Sequence, residues 1–152
     1  MEKVKKLFVC VLSAAMLLSV SCSKEEPQVS VSESNIIGAW KSVSVEAVEV
    51  YEGEREFYSA VCSDNTFYSI YTFNEDYTMS VYIFDAEEGD AYTNRGTWKL
   101  NGKVISMYVE DGADATILSL TANTMKIQNE EYEDKDNYDR VTISCKRVPV
   151  EK

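Results

Sequence analysis

Asn94-Arg95-Gly96-Thr97-Trp98-Lys99-Leu100-Asn101-Gly102-Lys103-Val104-Ile105-Ser106-Met107-Tyr108-Val109 reads as two strands folded back on one another. Apolar and β-favouring residues stand on both sides of Asn101-Gly102. A two-residue type I′ turn needs positive φ at both central positions, which Asn and Gly tolerate best, so this dipeptide is the strongest hairpin signal in the chain.

Working outward, the texture stays that of strands: short runs of Val, Ile, Thr, Tyr and Phe punctuated by Asn, Asp and Gly. Eight are predicted, at about Gly38–Tyr51, Thr66–Phe73, Thr78–Phe84, Asn94–Leu100, Lys103–Val109, Ala115–Leu120, Thr124–Asn129 and Asp139–Val148. Glu54 to Cys62 reads as a charged turn with one helical turn. The acidic clusters Asp85–Asp90 and Glu130–Asp136 read as solvated loops, and neither has the ligand spacing of a calcium-binding EF-hand. Short connections join antiparallel neighbours, and an eight-strand meander leaves two open edges unless it closes. The expected fold is therefore all-β, an eight-stranded antiparallel up-and-down barrel, with a β-sandwich as the alternative. Alternation gives each strand a dry and a wet face. In the last strand Val141, Ile143, Cys145 and Arg147 share one side.

The N-terminus has a different character. Lys3, Lys5 and Lys6 precede an apolar run from Leu7 to Leu18, then small residues lead to Cys22. A run this short does not span a bilayer core roughly 30 Å thick, and residues 1–21 read as an export signal. Leu18-Ser19-Val20-Ser21-Cys22 resembles a lipobox, with Ser19 where Leu is commonest. The resemblance implies cleavage before Cys22 and acylation of that residue, and acyl chains hold a protein to a membrane when two or more are present. Ser23-Lys24-Glu25-Glu26 resembles the acidic signal that routes lipoproteins to the outer face of the outer membrane. Surface exposure is thus expected, with a periplasm-facing location as the alternative. Residues 22–35 then form the lipidated cysteine and a polar, flexible tether, and 36–152 a single folded domain.

Removing residues 1–21 takes away three lysines and one glutamate, so the net charge moves from −11 to −13. Such a domain is repelled by phosphate backbones, which disfavours nucleic acid as a partner and leaves membrane attachment to the acyl chains. With Cys10 gone and Cys22 acylated, Cys62 and Cys145 remain in an oxidising compartment, and a disulfide between them is expected.

Gly38-Ala39-Trp40, Thr72-Phe73-Asn74-x-Asp76, Gly96-Thr97-Trp98-Lys99-Leu100-Asn101-Gly102, Ala115-Thr116-Ile117-x-Ser119-Leu120-Thr121 and Ser144-x-Lys146-Arg147-Val148 follow in order. Together they resemble the lipocalin-like domains of secreted bacterial lipoproteins, over about Ile36 to Val148. The resemblance implies a barrel closed at one end by the Gly38-x-Trp40 region, with Trp40 packed against a basic residue of the last strand, here Arg147. One departure is Tyr77, which stands where the family's turn has glycine, so that turn must change geometry or shift.

The chain has no histidine, which removes Ser-His-Asp and Cys-His catalysis and histidine-based metal sites, and it has no glycine-rich phosphate loop. It reads as a non-enzyme without cofactor or metal. Ten tyrosines follow the signal. Tyr68, Tyr71, Tyr82 and Tyr108, with Tyr92, are candidates to line a barrel mouth, since an aromatic face with a hydroxyl suits sugars, phenolics and heterocycles. The expected role is a membrane-anchored protein binding a small, partly apolar or glycan-like ligand. The alternative is an adaptor that binds another envelope or host protein through its loops and acidic surface.

Overall fold

The computed structural model describes residues 25–110, 112–134 and 136–150. The expected export signal, residues 1–21, and Cys22 lie outside the described residues. After an extended segment come a single helical turn, α1 (Glu33–Ile36), and nine strands: β1 (Gly38–Tyr51), β2 (Glu54–Val61), β3 (Phe67–Phe73), β4 (Thr78–Asp85), β5 (Asp90–Asn101), β6 (Val104–Tyr108), β7 (Asp114–Leu120), β8 (Thr124–Tyr132) and β9 (Tyr138–Val148).

Every pairing is antiparallel. Neighbours in sequence pair from β3 to β9, and β9 returns to β1, from Ala39 opposite Val148 to Val50 opposite Tyr138. Strands β1 and β3–β9 therefore close an eight-stranded barrel, and the sandwich alternative is excluded because no edge separates two sheets. The alternation in β9 sets the interior: Val141 and Ile143 face a cavity and Cys145 is buried below them.

Strand β2 corrects the expectation of a helical turn at Glu54–Cys62. It pairs with the upper half of β1, while β3 pairs with the lower half along the same edge. The two are one descending strand broken at Cys62–Thr66, where Ser63 and Thr66 hold a tight turn. Every residue of β2 is exposed. Its sequence shows no apolar period because neither face packs on the core, and backbone pairing alone makes it a strand.

The turns differ from the sequence reading in a second respect. Asn101 pairs with Val104, so the β5–β6 loop is Gly102-Lys103, with positive φ at Gly102 and not at Asn101. Glycine at the first central position is the pattern of type II′, not I′. Positive φ at both central residues occurs instead at Glu52-Gly53, between β1 and β2. The Asn74–Tyr77 turn does not shift. Tyr77 takes the left-handed conformation itself (φ 63°), steadied by its hydroxyl on Glu33 (3.0 Å) and its ring against Trp98.

The segment before α1 is not a free tether, which corrects a further expectation. Val29 N–H donates to the Leu120 carbonyl (2.8 Å), and Gln28 Oε1 accepts from the Leu120 N–H (3.0 Å). The Glu26 carboxylate takes the Thr121 hydroxyl (2.7 Å) and the Asn123 amide (2.8 Å). Val29 and Val31 pack against the core. Backbone and side-chain partners at the end of β7 supply what a polar, aperiodic stretch cannot supply alone.

That end of the barrel is shut. Trp40 is fully buried, with its indole N–H on the Ile36 carbonyl (2.7 Å). The Arg147 guanidinium lies over the indole, 4.1 Å from the ring centre. It also donates to the carbonyls of Ala122 (2.8 Å), Ile37 (2.8 Å) and Asn35 (2.6 Å), tying β9, the β7–β8 turn and the α1 region together. Gly38 is required beside it: its φ is +127°, and a Cβ there would come within 2.6 Å of Arg147 Nη1. Phe73, Met79, Trp98, Ile105, Ile117, Leu120 and Met125 fill the space above Trp40.

Arg147→Lys keeps the charge but not the planar fork that reaches three carbonyls. It is expected to cost about 1–3 kcal/mol in denaturant unfolding. An unchanged midpoint would show that the carbonyls do not depend on the guanidinium.

Candidate functional site

Above this plug the barrel is hollow. A cavity of about 270 Å³ opens at the end opposite Trp40, lined by Val81 and Ile83 from β4, Met107 from β6, Ala115 from β7, Ile127 from β8, and Val141 and Ile143 from β9. The lower and upper halves differ because inward positions near the closed end carry large aromatic and sulfur-containing side chains, while those above carry mostly Val, Ile and Ala. Polar groups are few: Ser69, Tyr71, Asn94, Asn129 and Glu110. Asn94 donates to the Glu110 carbonyl (3.3 Å) and Asn129 to the Asp114 carbonyl (2.9 Å), which leaves each amide oxygen as an acceptor. An apolar cleft with a small number of placed polar groups is the usual form of a small-molecule site.

Of the candidate tyrosines, only Tyr71 lines the cavity. Tyr68 and Tyr82 point outward, because their neighbours Ser69, Val81 and Ile83 point in. The two form an outer-face aromatic cluster with Phe84, and Lys41 sits 3.7 Å over the Tyr68 ring. Tyr92 and Tyr108 are exposed. The expectation that Tyr68, Tyr82 and Tyr108 contact a ligand is corrected: a one-residue difference in strand parity places them on the wrong face. The lining residues that sequence reading missed are Asn94 and Asn129, the terminal residues of two predicted strands, and Glu110, one residue past a third. Their signal was parity with buried neighbours in the same strands.

Cys62 and Cys145 are buried free thiols, so the expected disulfide is absent. Cys145 lies opposite Ser42 on one side of β1, and Cys62 donates its N–H to Val43 on the other. Two strand spacings, about 9–10 Å, separate their backbones. A disulfide spans at most about 7 Å between Cα atoms.

The rim of the open end is acidic. Glu131 lies opposite Asp139, Asp139 opposite Glu49, and Glu49 opposite Glu56, a row of four carboxylates across β8, β9, β1 and β2. Asp139 shares its face with Val141 and Ile143, so the row stands on the cavity side of the sheet above the apolar lining. Glu130 to Tyr132 belong to β8 and not to a loop, and Asp85 and Asp90 pair across β4 and β5. Like charges directly opposed in neighbouring strands oppose the pairing that brings them together.

Burial pushes the Tyr71 hydroxyl up to about 12. Burial, then the neighbouring Cys62 thiol, pushes Cys145 up to about 12 as well. The fold favours both protonated forms, so their stabilisation is complete below the unfolded values and lost as pH rises through the folded ones. Unfolding free energy is expected to fall from about pH 9 toward pH 12, and less steeply in Cys145→Ala. Identical slopes in chemical denaturation across that window would contradict the assignment to Cys145.

A family model described as a lipocalin-like domain matches residues 36–127. Among solved structures, the bovine lipocalin allergen Bos d 2 is similar at 15% identity and a TM-score of 0.48, over 80% of this chain and 79% of that one. No curated protein matches. The matched span runs from Ile36 through the Gly38–Trp40 plug to Ile127 on the cavity wall, and the chain belongs to the lipocalin-like domain family.

Proposed function

We propose that this protein is a lipid-anchored, non-enzymatic binding protein that holds one small, largely apolar molecule in the open half of its barrel. The cavity carries this reading: about 270 Å³, walled by aliphatic side chains, with Tyr71, Asn94, Asn129 and Ser69 to orient a polar substituent. Its volume lies just below the usual range for drug-sized ligands, roughly 300–1,000 Å³, which favours a compact ring system over a long acyl chain. A glycan-like ligand fits less well, since the tyrosines that would stack on sugar faces lie outside. Anchoring through acyl chains on Cys22 is supported by the lipobox-like stretch, and placement on the outer face of the outer membrane by Ser23–Glu26.

A neutral apolar fluorophore such as N-phenylnaphthylamine is expected to brighten on binding and to raise the melting temperature as it exceeds its dissociation constant. Val141→Trp, which fills the cavity from β9, should lower that affinity at least tenfold while the fold is kept. Equal binding by both forms would sink the cavity reading. Mass spectrometry of the mature N-terminus tests the anchor, with a diacyl or triacyl Cys22 expected and an unmodified cysteine refuting it.

A second reading, an adaptor for another envelope protein, is favoured by the exposed β2, where Phe57 and Val61 are 71% and 73% exposed on one face. Phe57→Lys should then abolish capture of a partner from envelope extracts without changing fluorophore affinity. Capture that survives it would count against β2.

A further inference from the structure

The docked N-terminal segment bears on how the barrel stands relative to a membrane. The turns Asn74–Tyr77, Gly102-Lys103 and Thr121–Asn123 all lie at the closed end, and the strands run from there to Glu52-Gly53, Ala86–Gly89 and Glu133–Asn137 at the mouth. Glu26 is bonded to Thr121 and Asn123, so the chain enters the described structure at the closed end. Cys22 precedes Glu26 by four residues, a reach of at most about 14 Å. A free tether from Cys22 to Asn35 would have reached roughly 45 Å and left the barrel able to turn over.

Charge is divided along the same axis. Lys99, Lys103, Lys126, Lys146 and Arg147 lie in the closed-end turns or within a few residues of them, where Glu25, Glu26, Glu33, Glu75 and Asp76 are the acidic residues among those described. The mouth carries the carboxylate row, with Glu52, Glu54, Asp85, Glu87, Glu88 and Asp90 on the turns and strand ends beside it. A phosphate-bearing surface repels the mouth far more than the closed end.

We infer that the closed end faces the membrane and the acidic mouth faces away, so that the cavity exchanges its ligand with water and not with the bilayer. The orientation rests on the reading of Cys22 as the acylated residue, and is imposed by the contacts of Glu26, Gln28 and Val29.

The test uses the acylated full-length product reconstituted in phosphatidylethanolamine–phosphatidylglycerol vesicles with an acceptor dye on the headgroups. A donor is attached at Asn101→Cys, at the closed end, or at Glu88→Cys, at the mouth. The strands separate these sites by roughly 25–30 Å along the barrel. Energy transfer should be severalfold stronger from position 101. Equal transfer, or stronger transfer from position 88, would overturn the orientation. In a Glu26→Ala/Val29→Pro background the segment loses its carboxylate bonds and the N–H bond to Leu120, and the difference between the two sites should collapse. A difference that persists undiminished would overturn the role of the docked segment. Mass spectrometry of the same preparation separates the two readings, because an unacylated Cys22 removes the anchor and the orientation with it, while acylated protein with the mouth nearer the lipid removes the orientation alone.

Discussion

The backbone pairing of β1 with β9 is the constraint on which the rest depends. It joins the first strand of the barrel to the last, and it satisfies two edges that would otherwise present a row of open N–H and C=O groups. β1 can do this because it is long. Its lower half lies between β9 and β3, its upper half between β9 and β2, and an irregularity at Val43 re-aims it between the two. Where the β1–β3 ladder ends, the Ser42 hydroxyl accepts the Ser69 N–H (2.9 Å) in place of a backbone partner. Arg147 then secures the seam at one end by binding carbonyls on three separate segments while covering Trp40.

Closure fixes an inside, and the side chains pointing into it decide how much is filled. At the closed end two indoles, Phe73 and two methionines pack to the axis, with each indole N–H given a carbonyl, Ile36 for Trp40 and Asn74 for Trp98. An aromatic N–H buried without a partner would cost about 1–3 kcal/mol, so the carbonyls at the ends of α1 and β3 are part of the plug. Toward the mouth the inward residues become smaller, and the same circumference leaves a cavity. The barrel is thus solid at one end and open at the other for a reason of side-chain volume, without any change in strand number.

The acidic rim and the docked N-terminal segment act on opposite ends of this object. Opposed carboxylates in neighbouring strands are tolerated because each is exposed and the pairing beneath them continues through apolar positions. The segment from Glu26 to Val31 converts a stretch with no structure of its own into part of the closed end, using bonds to Leu120, Thr121 and Asn123.

Much of the fold was legible in order along the chain. The alternation in β9 and the turn-punctuated β-rich runs are local patterns that pointed to an antiparallel barrel with a sandwich as the alternative, and the resemblance to lipocalin-like domains implied Trp40 and Arg147 at a closed end. Period-2 patterning is readable wherever one face is dry and one wet. β2 escaped because both its faces are wet, and the N-terminal segment escaped because its partners lie about ninety residues away. The candidate site was less legible. Tyrosine suits either face of a strand, so composition could not say that Tyr71 points inward while Tyr68, Tyr82 and Tyr108 point out. The distance that keeps Cys62 from Cys145 is likewise set by β1 lying between them. By itself the sequence determined eight of the nine strands and the charge, since these follow from each residue and its near neighbours. Only the tertiary structure decided which side chains share the cavity, which thiols stay apart and where the N-terminal segment is held, because each of these depends on register between strands distant in the chain.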